Sequence, residues 1–270
     1  MRLGVSIPHA SGDGGPLTGA ALMAGARAVE RAGLDSLWCF DSIGRGVMLP
    51  DPLIAVSVGA AVTQRLELGT GVLQVPLRRP VELAHRILAA HLVCGDRLLL
   101  GVGAGSTKAD FDAIGVDFDT RMQQMSDALV LMRRLWRGEK VGPAQLEPWP
   151  STLGGPKVLI GSWAGSTWIP RAAKEFDGWI GSGARSSVAK LREGIGRFRE
   201  AGGKRAIATN IPVDLTASEP LTDDGQFHLR CDPATAATRL RMLADLGFDD
   251  AVLVTRRFGD ADLAALRELV

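Results

Sequence analysis

Short apolar runs alternate with longer amphipathic or alanine-rich stretches along the whole chain. Such runs are typical of strands buried on both faces, because a strand covered on both sides has no polar face. The pattern predicts eight strands, at residues 2–8, 36–40, 66–71, 98–102, 157–160, 177–180, 206–215 and 251–255.

A segment with helical spacing follows each predicted strand. Gly33 suits the position just past a helix end, and Pro52 suits a first helical turn. The predicted helices cover residues 18–32, 51–63, 80–93, 120–138, 168–176, 187–201, 233–246 and 260–269. This alternation predicts a parallel sheet with right-handed crossovers, and eight such units favour a (β/α)8 TIM barrel in which residues 1–270 form one domain.

Two connections on the ligand side are predicted to be extended, after the fourth and the seventh strand. The first is predicted to be a polar loop with no regular metal-ligand spacing, which favours a solvated loop over a metal site. Its charged residues are Lys108, Asp110, Asp112, Asp117 and Asp119. The second runs to Cys231 and contains His228, which could cap a site.

A doubly wound open sheet is the alternative architecture. It would place a G-x-G-x-x-G fingerprint after the first strand. The chain reads H-A-S-G-D-G-G over residues 9–15, which is rich in glycine but lacks that spacing. The barrel is therefore the favoured fold.

Composition supports a barrel and argues against several partners. The 270 residues are 46% hydrophobic, which is enough for a large core. Lys and Arg number 31 against 30 Asp and Glu, and no basic run is interleaved with aromatics, so nucleic acid is not expected. No apolar stretch is long enough for a membrane span, and the first residues do not resemble a signal peptide.

Three cysteines, Cys39, Cys94 and Cys231, have no metal-ligand spacing and lie among apolar or helical neighbours. They are predicted to be buried, inert thiols. A reduced, cytoplasmic protein is expected.

Candidate chemistry lies where the predicted strands end, since a barrel of this type carries its site there. His9 follows the first strand, Asp41 and Ser42 follow the second, and a glycine-rich edge ending at Ser106 follows the fourth. His85 and His91 fall on a predicted helix and are interpreted as structural or solvated.

Two further features have two interpretations each. The turn at residues 161–167 resembles a phosphate cradle, because small residues and a following helix N-terminus expose backbone N–H groups. Ser166 or Thr167 could instead simply cap that helix. Arg78 and Arg79 could hold an anionic ligand or cap the barrel rim.

Several segments together resemble the luciferase-like monooxygenase superfamily, which comprises bacterial luciferase, flavin-dependent monooxygenases and oxidoreductases that use the deazaflavin coenzyme F-420. The similar segments cover about two thirds of the chain in the family's order. They are G-L-D-S-L-W from Gly33 leading to Asp41, L-G-T-G-V from Leu68 followed by Arg79-Pro80, residues 97–105, F-D-A-I-G-V-D-F-D-T-R from Phe111, residues 129–138, and residues 164–167 leading to D-G-W-I from Asp177.

The resemblance implies a TIM barrel that binds FMN or coenzyme F-420, and a homodimer. It implies that the cofactor phosphate lies on Ala164, Gly165, Ser166 and Thr167. The isoalloxazine-type ring would lie over Gly71 and Val72, which relatives join by a non-prolyl cis peptide, and beside Gly103, Ala104 and Gly105.

The chain also departs from the family pattern. Many relatives have Asp-His after the second strand, where this chain has Asp41 and Ser42. The sugar-phosphate dehydrogenase branch has an acidic residue where this chain has Ser106. His9 could supply the missing imidazole, so His9, Asp41, Ser42 and Ser106 are the predicted catalytic residues.

The predicted function is coenzyme F-420-dependent hydride transfer to or from an unknown small organic substrate. The short chain, rich in Arg, Ala and Gly, suits the families that use this cofactor. A monooxygenase dependent on reduced FMN is the alternative, and a flavin-binding protein without turnover is the alternative from another class.

Overall fold

Eight parallel strands close into a barrel in the computed structural model, which describes residues 1–8, 15–44, 46 and 48–270. Neighbouring strands pair in sequence order, and the last barrel strand pairs with both the seventh and the first, which closes the ring. The barrel strands are β1 Arg2–Ser6, β2 Ser36–Cys39, β3 Glu67–Thr70, β5 Leu98–Gly103, β6 Lys157–Gly161, β7 Gly178–Ser182, β8 Ala206–Asp214 and β10 Asp250–Val254. The predicted TIM barrel is confirmed.

Helices surround the barrel in the described part of the chain. They are α1 Gly19–Arg31, α2 Pro52–Val62, α3 Pro80–Cys94, α4 Lys108–Ile114, α5 Arg121–Trp136, α6 Trp168–Glu175, α7 Val188–Glu200, α8 Pro233–Leu246 and α9 Asp260–Arg267. Four of them begin at side-chain caps, from Thr18, Asp51, Ser187 and Asp232. No helix in the described ranges is long and apolar enough to span a membrane.

The extended connections contain elements that the sequence pattern did not predict. Residues 108–114 form the helix α4 rather than a polar loop. Phe111, on this helix, is fully buried, and Lys108 pairs with Asp112 one turn later. Gly115 ends the helix with a φ of 67°. Two short strands were also not predicted: β4 Leu73–Gln74, in the connection after β3, pairs in parallel with β5, and β9 Leu229–Arg230, in the connection after β8, pairs in parallel with β8.

The barrel interior has its own small core, separate from the larger core between strands and helices. It is filled by Trp38, Leu99, Leu159, Ile180, Ile207 and Val252. The indole nitrogen of Trp38 donates to Ser36 Oγ at 2.8 Å, so the buried ring is also satisfied. Val72 packs on this cluster from the ligand side and is partly exposed there.

A network of charges closes the opposite end of the barrel, where the strands begin. Arg205 Nη2 lies 2.6 Å from Glu67 Oε2 and 2.8 Å from Asp250 Oδ1. Arg2 Nη2 lies 2.8 Å from the same oxygen of Glu67. Burial raises the pKa of Asp250, whereas at Glu67 burial is outweighed by the two guanidinium groups and the pKa is lowered.

Replacing Glu67 by Gln should therefore lower the free energy of unfolding by about 1–3 kcal/mol near neutral pH. A carboxyl whose pKa is lower in the folded state stabilises the fold above its unfolded pKa, and that contribution is lost as the pH falls through the folded pKa. Urea unfolding at a series of pH values should show the difference between wild type and Glu67→Gln shrinking below the ordinary Glu range.

Glu82→Gln is the matched control, because the Glu82 side chain is 54% exposed. It should change stability little at any pH. A difference for Glu67→Gln that stayed constant on acidification would contradict the assignment.

Candidate active site

A cavity of about 780 Å³ opens at the carboxyl ends of the barrel strands. Its wall combines backbone-rich segments after β3 and β5 with polar and apolar side chains from the other strands and from α5. Most of the predicted site residues line it: Asp41, Ser42, Gly71, Val72, Gly103, Ala104, Gly105, Ser106 and Ser166. Gln74, Ser162 and Ser182, which follow predicted strand ends, also line it, whereas sequence patterns did not point to Arg121, Thr209 and Asn210.

The remaining predicted site residues are not among the described residues that line the cavity. Ala164, Gly165 and Thr167 flank Ser166 in the same turn but are not part of the cavity wall. His9 lies outside the described residues.

Val72 forms one wall of the cavity by filling the space above two glycines. The Gly71–Val72 peptide bond is cis, as the family resemblance implies. A Cβ atom at Gly103 would lie 2.6 Å from one methyl of Val72, and a Cβ at Gly161 would lie 2.5 Å from the other. Because these two glycines have no side chain, Val72 can pack against them. Val72 itself therefore forms the ligand-facing surface.

Asp41 is held in a buried ion pair at the rim. Its Oδ1 accepts from Arg78 Nη2 at 3.0 Å, and its Oδ2 accepts from Arg78 Nη1 and, at 2.8 Å, from the backbone N–H of Gln74. The Asp41 and Arg78 side chains are 2% and 8% exposed. Burial lowers the pKa of Arg78, but the bonds to Asp41 outweigh it and the pKa is raised, so the arginine stays charged.

This geometry distinguishes between the two interpretations of Arg78. Its guanidinium is occupied by Asp41 and lies 3.5 Å from Asp51, so it secures the barrel rim rather than binding a ligand. Asp51 in turn pairs with Arg86 at 3.0 Å and caps α2.

Gln74 extends the same network to α4. Its side-chain Nε2 donates to Asp110 Oδ2 at 3.0 Å and to the backbone oxygen of Asp41 at 3.2 Å. The segment after β2, the strand β4 and the helix α4 are thereby linked into one side of the cavity.

The turn at residues 161–167 combines a helix cap with a bound arginine. Ser166 Oγ accepts from the backbone N–H of Trp168, the first residue of α6, at 3.1 Å, whereas Thr167, the N-cap residue, makes no side-chain cap bond. Arg197 on α7 donates to the backbone oxygens of Ala164 and Ser166. These bonds fix the turn and place a positive charge against it, next to the N-terminus of α6.

Arg121, at the start of α5, brings a guanidinium to the cavity wall. It donates to the backbone oxygen of Phe118 at 2.8 Å and stacks 3.7 Å from the centre of the Phe118 ring. Its Nε is buried, as are the hydroxyl oxygens of Ser162 and Ser182, and none of the three has a hydrogen-bond partner within the described part of the chain. Buried polar atoms of this kind normally find a partner, so the wall suits a ligand rich in hydrogen-bonding atoms.

Comparison with known proteins assigns the family. Residues 1–222 match the model of the luciferase-like monooxygenases. The chain belongs to this family. It is 31% identical over 114 residues to the 4-hydroxyprotoasukamycin monooxygenase of Streptomyces nodosus subsp. asukaensis, a match that spans 42% of this chain and 30% of that relative.

A second relative of this luciferase-like protein covers more of the chain. The F420-dependent glucose-6-phosphate dehydrogenase of Kineococcus radiotolerans is 29% identical over 242 residues, which is 80% of this chain and 66% of that enzyme. Relatives of the family therefore include enzymes that their names describe as F420-dependent and as monooxygenases.

Solved structures share the fold over the whole chain. The monooxygenase RslO1 from Streptomyces bottropensis superimposes with a TM-score of 0.78 at 16% identity and covers 100% of this chain and 97% of its own. The F420-dependent tetrahydromethanopterin reductase of Methanopyrus kandleri has a TM-score of 0.75 at 14% identity, with 100% and 99% covered. The 3,6-diketocamphane monooxygenase of Pseudomonas putida, solved with FMN, has a TM-score of 0.75 at 15% identity, with 100% and 98% covered.

The other candidate residues of this luciferase-like protein lie away from the cavity. His91 is buried in α3, where burial lowers its pKa, and His85 is exposed on the same helix. His228 contacts Arg239 in the excursion after β8 rather than capping the site. All three cysteines are free and buried as predicted, and burial raises the pKa of Cys94 to about 11. The described residues contain no group of three side chains suited to a metal ion.

Replacing Arg78 by Met should lower the free energy of unfolding by about 3–5 kcal/mol, because it leaves the Asp41 carboxylate buried without its counter-charge. Urea unfolding near neutral pH measures the loss. Arg79→Met is the matched control, since Arg79 is the next residue and is exposed; it should cost about 0.5 kcal/mol or less. Equal losses for the two variants would show that the pair does not hold the rim.

Proposed function

We propose that this protein is an oxidoreductase that binds coenzyme F-420 in the cavity and uses it for hydride transfer to or from a small organic molecule. Support comes from the F420-dependent relative that aligns with 80% of the chain. The cavity wall, which combines backbone-rich segments with hydrogen-bond donors, also supports it.

The observation that carries the proposal is the set of groups facing the cavity near residues 164–167. Phosphate needs N–H and O–H donors and positive charge. The Ser166 hydroxyl and the guanidinium of Arg121, which line the same cavity, supply them, and Arg197 fixes the turn by donating to the backbone oxygens of Ala164 and Ser166. A Cβ atom at Gly165 would meet nothing within 4 Å, so the outer side of the turn is open.

In this proposal the ring of the cofactor is held by Gly71, Val72, Gly103, Ala104 and Gly105. When bound, F-420 supplies the hydride acceptor or donor, and the protein supplies binding, orientation and exclusion of water. The buried apolar core beneath Val72 keeps water from that side.

Four residues are proposed to act near the reacting atoms. The Asp41 carboxylate, fixed by Arg78, positions the adjacent Ser42, and the hydroxyls of Ser42 and Ser106 offer hydrogen bonds to the cavity. His9, which follows β1 in the sequence, is the proposed source of an imidazole.

A monooxygenase that uses reduced FMN is the second candidate. The similarity to 4-hydroxyprotoasukamycin monooxygenase and the fold shared with an FMN-bound monooxygenase favour it. FMN carries a phosphate, so the same turn would hold it. The two candidates differ in whether reoxidation of the reduced cofactor on the protein consumes oxygen.

Fluorescence titration of the purified protein with FMN and with F-420 tests the proposal. Gly165→Asp should raise the dissociation constant of the cofactor by about tenfold or more, because it adds a carboxylate where the phosphate is proposed to lie. Gly196→Asp on α7 is the matched control, since a Cβ there also meets nothing within 4 Å. The Gly196→Asp variant should bind the cofactor with the wild-type dissociation constant.

Each outcome of the titration distinguishes the hypotheses. Binding of F-420 with oxygen-independent turnover supports the hydride-transfer enzyme, and binding of FMN with oxygen consumption supports the monooxygenase. Tight binding without turnover would favour the flavin-binding protein, and no binding of either cofactor would overturn the proposal.

We also propose a cytoplasmic homodimer that pairs through α2 and α3. The helix α2 carries no charged residue, and Ile54 on it is 59% exposed. Leu92 and Val93 on α3 are 53% and 51% exposed. Apolar side chains grouped on two adjacent helices are typical of an interface.

Ile54→Arg should convert the dimer to a monomer, because a charge at the centre of an apolar interface is costly to bury. Light scattering coupled to size-exclusion chromatography measures the mass. Val130→Arg on α5, at a position 57% exposed, should leave the mass unchanged. A wild-type protein that elutes as a monomer would exclude the homodimer.

A further inference from the structure

The strand β8 carries a bulge where it reaches the cavity. Its register with β10 shifts between Ala251 and Leu253, so β8 has one extra residue there. Asn210 occupies the bulge with a φ of 55°, the one positive φ outside glycine among the described residues. Asparagine tolerates this region better than most residues, and Asn210 is the only asparagine in the chain.

The bulge changes which way the strand presents its side chains. Ile207 points into the barrel and Ala208 packs in the outer core, as alternation along a strand requires. Regular alternation would then point Thr209 inward and Asn210 outward among apolar groups. Instead both residues line the cavity, and Ile211 returns to the outer core. The extra residue thus brings an amide side chain into the cavity.

The bulge faces the wall made by Val72. In the ring of eight strands, β8 is the fourth neighbour of β3 in both directions, so the two strands lie opposite each other. Gly71 and Val72 follow β3 directly. A ligand between them would meet the proposed cofactor ring on one side and Asn210 on the other.

Hydrogen bonds orient the Asn210 amide but occupy only part of its hydrogen-bonding capacity. Asn210 Nδ2 donates to Thr209 Oγ1 at 3.4 Å, and Thr209 Oγ1 donates to the backbone oxygen of Gly181 at 3.2 Å. The amide can make up to four hydrogen bonds, so one N–H and the carbonyl oxygen are left to a ligand.

The charges around the cavity select against a cationic ligand. Among the described lining residues the one carboxylate is Asp41, which is neutralised by Arg78, whereas Arg121 and Arg185 are both cationic. An amide, by contrast, recognises uncharged oxygen: its N–H donates to a carbonyl, and its oxygen accepts from a hydroxyl.

We propose that Asn210 is a substrate-binding residue that hydrogen-bonds an uncharged carbonyl or hydroxyl oxygen of the substrate. The proposal deepens the proposed function, on which it depends for the reacting end of the substrate, but the binding itself needs no cofactor. A glycine at this position keeps the left-handed backbone, so the side chain can be removed without disturbing the bulge.

Saturation-transfer NMR with cyclohexanone, cyclohexanol and methylcyclohexane as probes tests this, with and without FMN or F-420. Asn210→Gly should bind the ketone and the alcohol about tenfold more weakly than wild type and the hydrocarbon equally. Asn210→Asp, which keeps an acceptor but loses the donor, should lose the ketone and retain the alcohol. Thr216→Ala, an exposed position farther along the chain after β8, should bind all three as wild type does.

The result that overturns the proposal is equal binding of the ketone and the alcohol by wild type and Asn210→Gly. Failure of the wild type to distinguish the oxygen-bearing probes from methylcyclohexane would also overturn it. Failure of the proposed function would appear separately, as absence of cofactor binding in the titration, because the probes are observed directly. Unfolding curves of the variants confirm that the fold is kept.

Discussion

The buried ion pair between Asp41 and Arg78 joins the segments on which the cavity depends. Asp41 follows β2, and Arg78 follows the short strand β4, so the pair links two neighbouring connections at the barrel rim. Gln74 adds α4 to the same network through Asp110. Because both charges are buried, moving either one would leave the other without its counter-charge in an apolar environment. The pair therefore makes the rim on this side a rigid frame. The cis peptide at Gly71–Val72 lies within the frame, and Val72 is seated there on Gly103 and Gly161.

The barrel could be predicted from the sequence because parallel strands buried on both faces leave an unmistakable pattern. Continuous apolar runs such as Leu98–Gly103, each followed by a helical stretch, occur eight times, and few folds use eight such units. The glycine-rich ends of those strands also predicted most of the cavity wall. The family resemblance added the cis peptide, which no local pattern of residues predicts.

The features that the sequence did not predict are those that depend on contacts between residues distant in sequence. The helix α4 has one fully buried apolar side chain, Phe111, so its amphipathic signal was too weak to distinguish it from a loop. Arg197 belongs to a helix with many charges, and only the fold places it against residues 164–167. The bulge at Asn210 depends on the register between β8 and β10, which no single strand contains.

The distribution of titratable groups separates what the scaffold supplies from what the reaction needs. The described cavity wall contains no histidine, and its one carboxylate is paired with Arg78. The uncharged polar side chains in that wall are mainly hydroxyls and amides. Hydroxyl groups lose a proton far above neutral pH and are poor general bases unless an imidazole or carboxylate assists them. A proton-transfer step at this site therefore requires a group outside that wall, and His9, which follows β1, is the nearest candidate in the sequence. Hydride transfer between a carbonyl and a hydroxyl carbon also moves one proton, so the proposed F-420 reaction depends on such a group.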